Sequence, residues 1–72
     1  MIEICNLTET DKGRWVKFTN EAYHEEQTGR IKSWNDLHIF VVYHCDNDWE
    51  NYADYTAEAT HGSRLEFIEE QI

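Results

Sequence analysis

Residues 28–43, TGRIKSWNDLHIFVVY, restrict the fold more than any other stretch of this chain. Ile31 stands between Arg30 and Lys32, and the run from Leu37 to Tyr43 is rich in Ile, Val, Phe and Tyr. Such residues fit a pleated, half-buried surface. Asn35 and Asp36, between the two runs, suit a hairpin turn because both tolerate positive φ. The stretch therefore predicts a β-hairpin. In its second arm Leu37, Ile39, Val41 and Tyr43 share one face, while His38, Phe40, Val42 and His44 share the other. Both faces are partly apolar, which places this strand inside a small sheet, its second face covered by a loop, the chain end or a partner.

The remaining strands follow from the same alternation. Arg14, Trp15, Val16, Lys17 and Phe18 alternate in period two, with Val16 and Phe18 turned inward. A long surface loop is expected next, containing His24, Glu25 and Glu26. Residues 44–54, HCDNDWENYAD, have no steady period. Residues 55–60, YTAEAT, alternate again as a fourth strand, and HGSRL predicts one tight turn of 3-10 type before a last strand, EFI. A helix over residues 62–70 is the rival, because Ser63 followed by Glu66 has the spacing of a capping box. Five strands in this order predict a mainly β protein, a small SH3-like barrel with a short 3-10 turn or short helix near its C-terminus. Closure suits so small a sheet because it removes exposed edges. An open meander with a C-terminal helix, a small α+β sandwich and a swapped dimer are the alternatives. At 72 residues the chain is a single domain over residues 1–72.

Charge excludes several functions. The formal net charge is -9, and residues 46–72 hold Asp46, Asp48, Glu50, Asp54, Glu58, Glu66, Glu69 and Glu70 against Arg64 as the lone base. Such a chain is repelled by nucleic-acid phosphates and anionic membranes, so its natural partner is a basic protein surface. No apolar run reaches membrane-spanning length, and the start MIEICNLTET lacks the marks of a signal peptide, which predicts a cytoplasmic protein. Cys5 and Cys45 are then expected to be reduced thiols, small and buried.

The succession GRWVKF, GRIKSWNDLHIFVVY, YTAEAT and RLEF, spanning residues 13–67, resembles a group of small proteins encoded by phages and prophages. The resemblance implies a barrel fold and a phage setting; it carries no activity and no catalytic residues. More loosely, GRWVKF followed by GRIKSW is similar to the opening strands of KOW and Tudor modules, which bind nucleic acid or peptides.

No motif calls for catalysis or a cofactor. DNDWE has acids at alternate positions like a calcium loop, but Asn51 stands where the glycine belongs and Ala57 where the bidentate Glu belongs. The four histidines lack zinc spacing, and adjacent His44 and Cys45 point to opposite faces of a strand. Cys45, Ser33 and Ser63 have no flanking signature of a nucleophile, and His24 beside Glu25 and Glu26 reads as solvated charge. Neither an enzyme nor a metal protein is expected. The aromatics are more informative. Trp15, Trp34, Trp49, Tyr52 and Tyr55 exceed what a core already holding Phe18, Phe40 and Phe67 can take, so several should be partly exposed. Exposed rings among carboxylates suit a cationic partner. The predicted partner-binding residues are Asp46, Asp48, Trp49, Glu50, Tyr52, Asp54 and Glu58. Lys17, Arg30 and Lys32 are expected to serve solubility or to pair with Glu25, Glu26 or Asp36, in preference to forming a patch that binds nucleic acid.

The function expected from these features is a non-enzymatic phage-type protein, monomeric or weakly dimeric, that blocks a basic host surface by imitating a phosphate backbone. A host defence nuclease, a CRISPR effector or a transcription factor would be the target. A Tudor-like peptide reader with a cage of Trp15, Trp34 or Trp49, or an accessory in virion assembly, are the alternatives.

Overall fold

The computed structural model describes residues 1–20, 22 and 25–69, apart from the side chain of Glu25. Five strands, β1 (Trp15–Asn20), β2 (Glu25–Trp34), β3 (Ile39–Val42), β4 (Glu58–Thr60) and β5 (Leu65–Phe67), form one antiparallel sheet in the order β4-β3-β2-β1-β5. Four 3-10 segments complete it: η1 (Ile4–Asn6), η2 (Glu9–Asp11), η3 (Trp49–Asp54) and η4 (Gly62–Arg64). The protein is mainly β. Among the described residues no ladder joins β4 to β5, so the sheet keeps two edges.

Val16, Ile31, Ile39, Val41 and Leu65 are fully buried and form the core with Ile2 and Tyr43. Each contributes roughly 1.5–3 kcal/mol by leaving water. The period-two reading of β1 holds here, with Val16 at the centre and Phe18 packed against it. Gly29, the cross-strand partner of Val16, lets the strands approach: a Cβ there would lie 2.5 Å from the Val42 carbonyl oxygen. A bulge between Ile31 and Ser33 shifts the register of β2 against β3. The extra residue, Lys32, reverses the alternation, so Trp34 stands opposite Ile39 and packs against the core.

Several expectations are corrected. Pairing of β1 with β2 continues to Asn20 and Glu25, so Glu25 and Glu26 belong to β2 and not to the expected long loop; His24 lies outside the described residues. The turn at residues 35–38 uses no positive φ. Instead the Asn35 side-chain oxygen accepts from the Leu37 and His38 N–H groups, both at 2.8 Å, and the amide holds the turn through its side chain. Leu37, expected in the inward set, is thereby 71% exposed. The helix over residues 62–70 does not form across its described part. The His61 ring nitrogen accepts from the Ser63 N–H, one 3-10 turn follows, and Leu65–Phe67 pairs with β1. β4 is shorter than expected, and its inward residue is Thr60, whose hydroxyl lies 2.9 Å from the Tyr43 hydroxyl.

The first dozen residues, which show no strand pattern, nonetheless close the core. The Ile2 N–H donates to the Gly62 carbonyl at 2.8 Å, and Ile4 and Leu7 pack on the cluster. Cys45 is buried, whereas Cys5 is exposed, against the expectation that both are interior; both are free thiols. No helix among the described residues is long and apolar enough to cross a membrane.

Candidate functional site

Trp15, Arg30 and Val42 form a row across β1, β2 and β3. They lie on the sheet face opposite Val16, Ile31 and Val41, because neighbours on a strand alternate. Trp15 and Val42 are buried nonetheless, at 6% and 0% exposure. The cover over this second face is η3. The chain reaches it through a tight reversal at residues 45–48, where the Asp48 N–H donates to the Cys45 carbonyl at 2.8 Å. Asp46 and Asn47 take φ of 53° and 66° there. Two consecutive left-handed residues define a type I′ turn, a conformation that Asp and Asn tolerate.

Three side chains of the sheet, Trp15, Arg30 and Lys32, fasten η3 to it. The Trp49 ring lies 4.7 Å from that of Trp15, tilted by 55°. Arg30 donates from Nη1 to the Trp49 carbonyl and from Nε to the Gly13 carbonyl, both at 2.8 Å. Its guanidinium lies 4.3 Å from the Tyr52 ring centroid and 5.5 Å from that of Trp15. At the other end of η3, Lys32 Nζ donates to the Tyr55 carbonyl at 2.9 Å, where a cation also suits the negative end of the turn. Gly13 completes the arrangement. Its φ of 88° favours glycine, and a Cβ would crowd the Tyr52 hydroxyl at 2.9 Å.

The two bases within the apolar hairpin are therefore internal clamps. Both bind backbone carbonyls, and Arg30 also lies over ring faces; Lys17 pairs with Glu26 at 3.7 Å, one of the pairings expected of these bases. Residues 46–54, which sequence reading leaves as irregular loop, are folded by these clamps into two 3-10 turns joined at Asn51.

The structure divides the predicted partner-binding residues into two groups. Asp46, Glu50, Asp54 and Glu58 are exposed. Asp48 is half-buried and structural: it accepts from the Asn51 amide at 3.0 Å and from the Tyr55 hydroxyl at 3.4 Å. Trp49 and Tyr52 are half-buried, with their rings turned to Trp15 and Arg30. Among the described residues none of the five carboxylates forms an ion pair, whereas Lys12 and Arg14 are paired with Glu9 and Asp11. Burial pushes the Cys45 thiol up, and burial together with Asp48 and Asp46 does the same for the Tyr55 phenol. The thiol is thus held protonated and is a poor nucleophile. Among the described residues no three His, Cys, Asp or Glu side chains gather as metal ligands.

Comparisons with known protein families, curated proteins and solved structures find no match. The site is thus read from its own chemistry.

Arg30, which seats η3 on the sheet, is absent from the partner-binding residues predicted from sequence. Its signal was present in the sequence, as a base at the centre of an apolar hairpin opposite an aromatic-rich segment.

Proposed function

We propose that this protein is a non-enzymatic binder of phage type, an SH3-like barrel that acts in the host cytoplasm by blocking a basic, nucleic-acid-binding surface of a host protein. One observation carries the reading. The bases that could neutralise the η3 side are turned inward onto carbonyls and rings, so Asp46, Glu50, Asp54 and Glu58 face solvent without partners among the described residues. Fixed carboxylates on a rigid support present negative charge at little ordering cost and speed encounter with a basic surface. The strand order, with a 3-10 turn between β4 and β5, supports the SH3-like reading. In this reading Trp49 and Tyr52 are the scaffold of the acidic surface and the carboxylates are its contacts. A Tudor-like cage is disfavoured, because Trp15 is buried and Arg30 already occupies the space over Tyr52.

The test is capture of host proteins on the immobilised protein, followed by challenge with duplex DNA. Release of a captured nucleic-acid-binding protein by DNA is the expected result. A captured partner indifferent to DNA and to salt between 50 and 300 mM contradicts phosphate mimicry, because contacts between exposed charges are progressively screened over that range.

A further inference from the structure

A cleft of about 290 Å³ opens where the sheet fails to close, between β4 and the β1–β2 hairpin. Phe18, Gln27, Tyr43, Ala59, Thr60 and Arg64 line it, with Glu58 and His61 beside them. Phe18 and Tyr43 meet edge to face, 6.1 Å between centroids. Gln27 is the unexpected residue. It stands opposite Phe18 in the ladder and so shares the inward face, and its side-chain oxygen is buried without a hydrogen-bond partner among the described residues. Burying such an oxygen unpaired is unfavourable, and native proteins rarely leave one so. The Tyr43 hydroxyl is bonded to that of Thr60 at 2.9 Å, the Thr60 hydroxyl also reaches the Glu58 carbonyl at 3.4 Å, and neither is hydrogen-bonded to this oxygen.

We infer that this cleft is a binding site for a neutral cyclic amide, a flat ring carrying N–H and C=O on one edge. A primary amide offers one acceptor and one donor side, and its complement is another amide edge, which forms two parallel hydrogen bonds. Rotation about the last torsion of Gln27, which is broad for an amide, turns that edge into the cleft. Phe18 and Tyr43 supply an aromatic wall for the ring. Neutrality follows from the setting: the lining holds one acid, Glu58, and one base, Arg64, and the net charge of -9 disfavours an anion. A nucleobase and a simple lactam share this edge. Glu58 borders both this cleft and the proposed acidic surface, whereas Asp46, Glu50 and Asp54 do not line the cleft, and the inference does not rest on the binding role proposed for those carboxylates.

The experiment is an NMR titration of the intact protein with uracil, with 2-piperidone and with 1,3-dimethyluracil, which keeps the ring and lacks the N–H. Saturable shifts of the Gln27 side-chain amide and of the Phe18 and Tyr43 rings by uracil or 2-piperidone are expected. Dimethyluracil should bind at least about tenfold more weakly. Response to uracil alone would assign a nucleobase, and equal response to both a general lactam site. The Gln27→Met variant keeps the volume and should lose about tenfold in affinity while retaining its fold. Absence of saturable shifts with both amide probes, an equal response to dimethyluracil, or undiminished affinity in folded Gln27→Met would overturn the assignment.

Discussion

Arg30 shows how one side chain joins two parts of this molecule. Its planar guanidinium donates to carbonyls on either side of the sheet face, Gly13 and Trp49, and lies against Tyr52. Lysine retains the charge but cannot reproduce the fork. Arg30→Lys should therefore cost about 1–2 kcal/mol and Arg30→Ala about 2–4 kcal/mol, measured by urea denaturation. That is a large part of the few kcal/mol expected for a domain of this size. Equal stability of Arg30→Ala and the parent would show that the clamp contributes nothing. Gly29 gives a second test. With the Val42 carbonyl 2.5 Å from an added Cβ, Gly29→Ala should destabilise by roughly 1–3 kcal/mol. Cys45 gives a pH-dependent test. Its folded pKa is raised by burial, so below about pH 8.5 both states hold the proton and pH has no effect through this group. Above that value the unfolded chain releases the proton first, and stability falls as pH rises. Cys45→Ala should flatten the loss between pH 8 and 10, before the raised phenols of Tyr43 and Tyr55 contribute at higher pH. An unchanged slope would show that the thiol is not the group responsible.

At the scale of elements, η3 depends on tertiary contacts, since short 3-10 turns have little stability of their own. Removing the Trp49 ring from Trp15 should loosen η3 before it loosens the sheet. Trp49→Ala is expected to raise hydrogen exchange over residues 48–55 while β1–β3 remain protected. Loss of protection across β1–β3 to the same degree would mean that η3 and the sheet unfold together. This element also marks the limit of what could be read from sequence. Val16, Ile31 and Val41 announce strands because alternation is a local signal, and the Asn35 turn is equally local. The ordering of residues 46–54 is non-local: it comes from Arg30, Lys32 and Trp15, side chains on other strands. The bulge at Lys32 is invisible for a related reason, because it reverses a parity that period-two reading assumes constant. Ile2 and Leu7 bury themselves through contacts with η4 and the core, which a short, aperiodic segment does not reveal.

Across the whole molecule, charge is sorted by position. The exposed acids Asp46, Asp54 and Glu58 were legible as sequence, but their separation from Asp48, which holds Asn51 and Tyr55, required the fold. This distinction decides which variant is informative. Reversing Asp48 would damage η3 and reversing Asp46 would strain the left-handed turn before it, whereas reversing Glu50, Asp54 and Glu58 leaves those contacts intact and Asp46→Asn removes charge while suiting the turn. The most direct measurement is therefore capture of host proteins by the parent and by a variant with Glu50, Asp54 and Glu58 changed to Lys and Asp46 to Asn, with folding of both checked by thermal unfolding. The account predicts a nucleic-acid-binding protein retained at moderate salt by the parent and lost with the folded variant. The same proteins retained equally by both would contradict it.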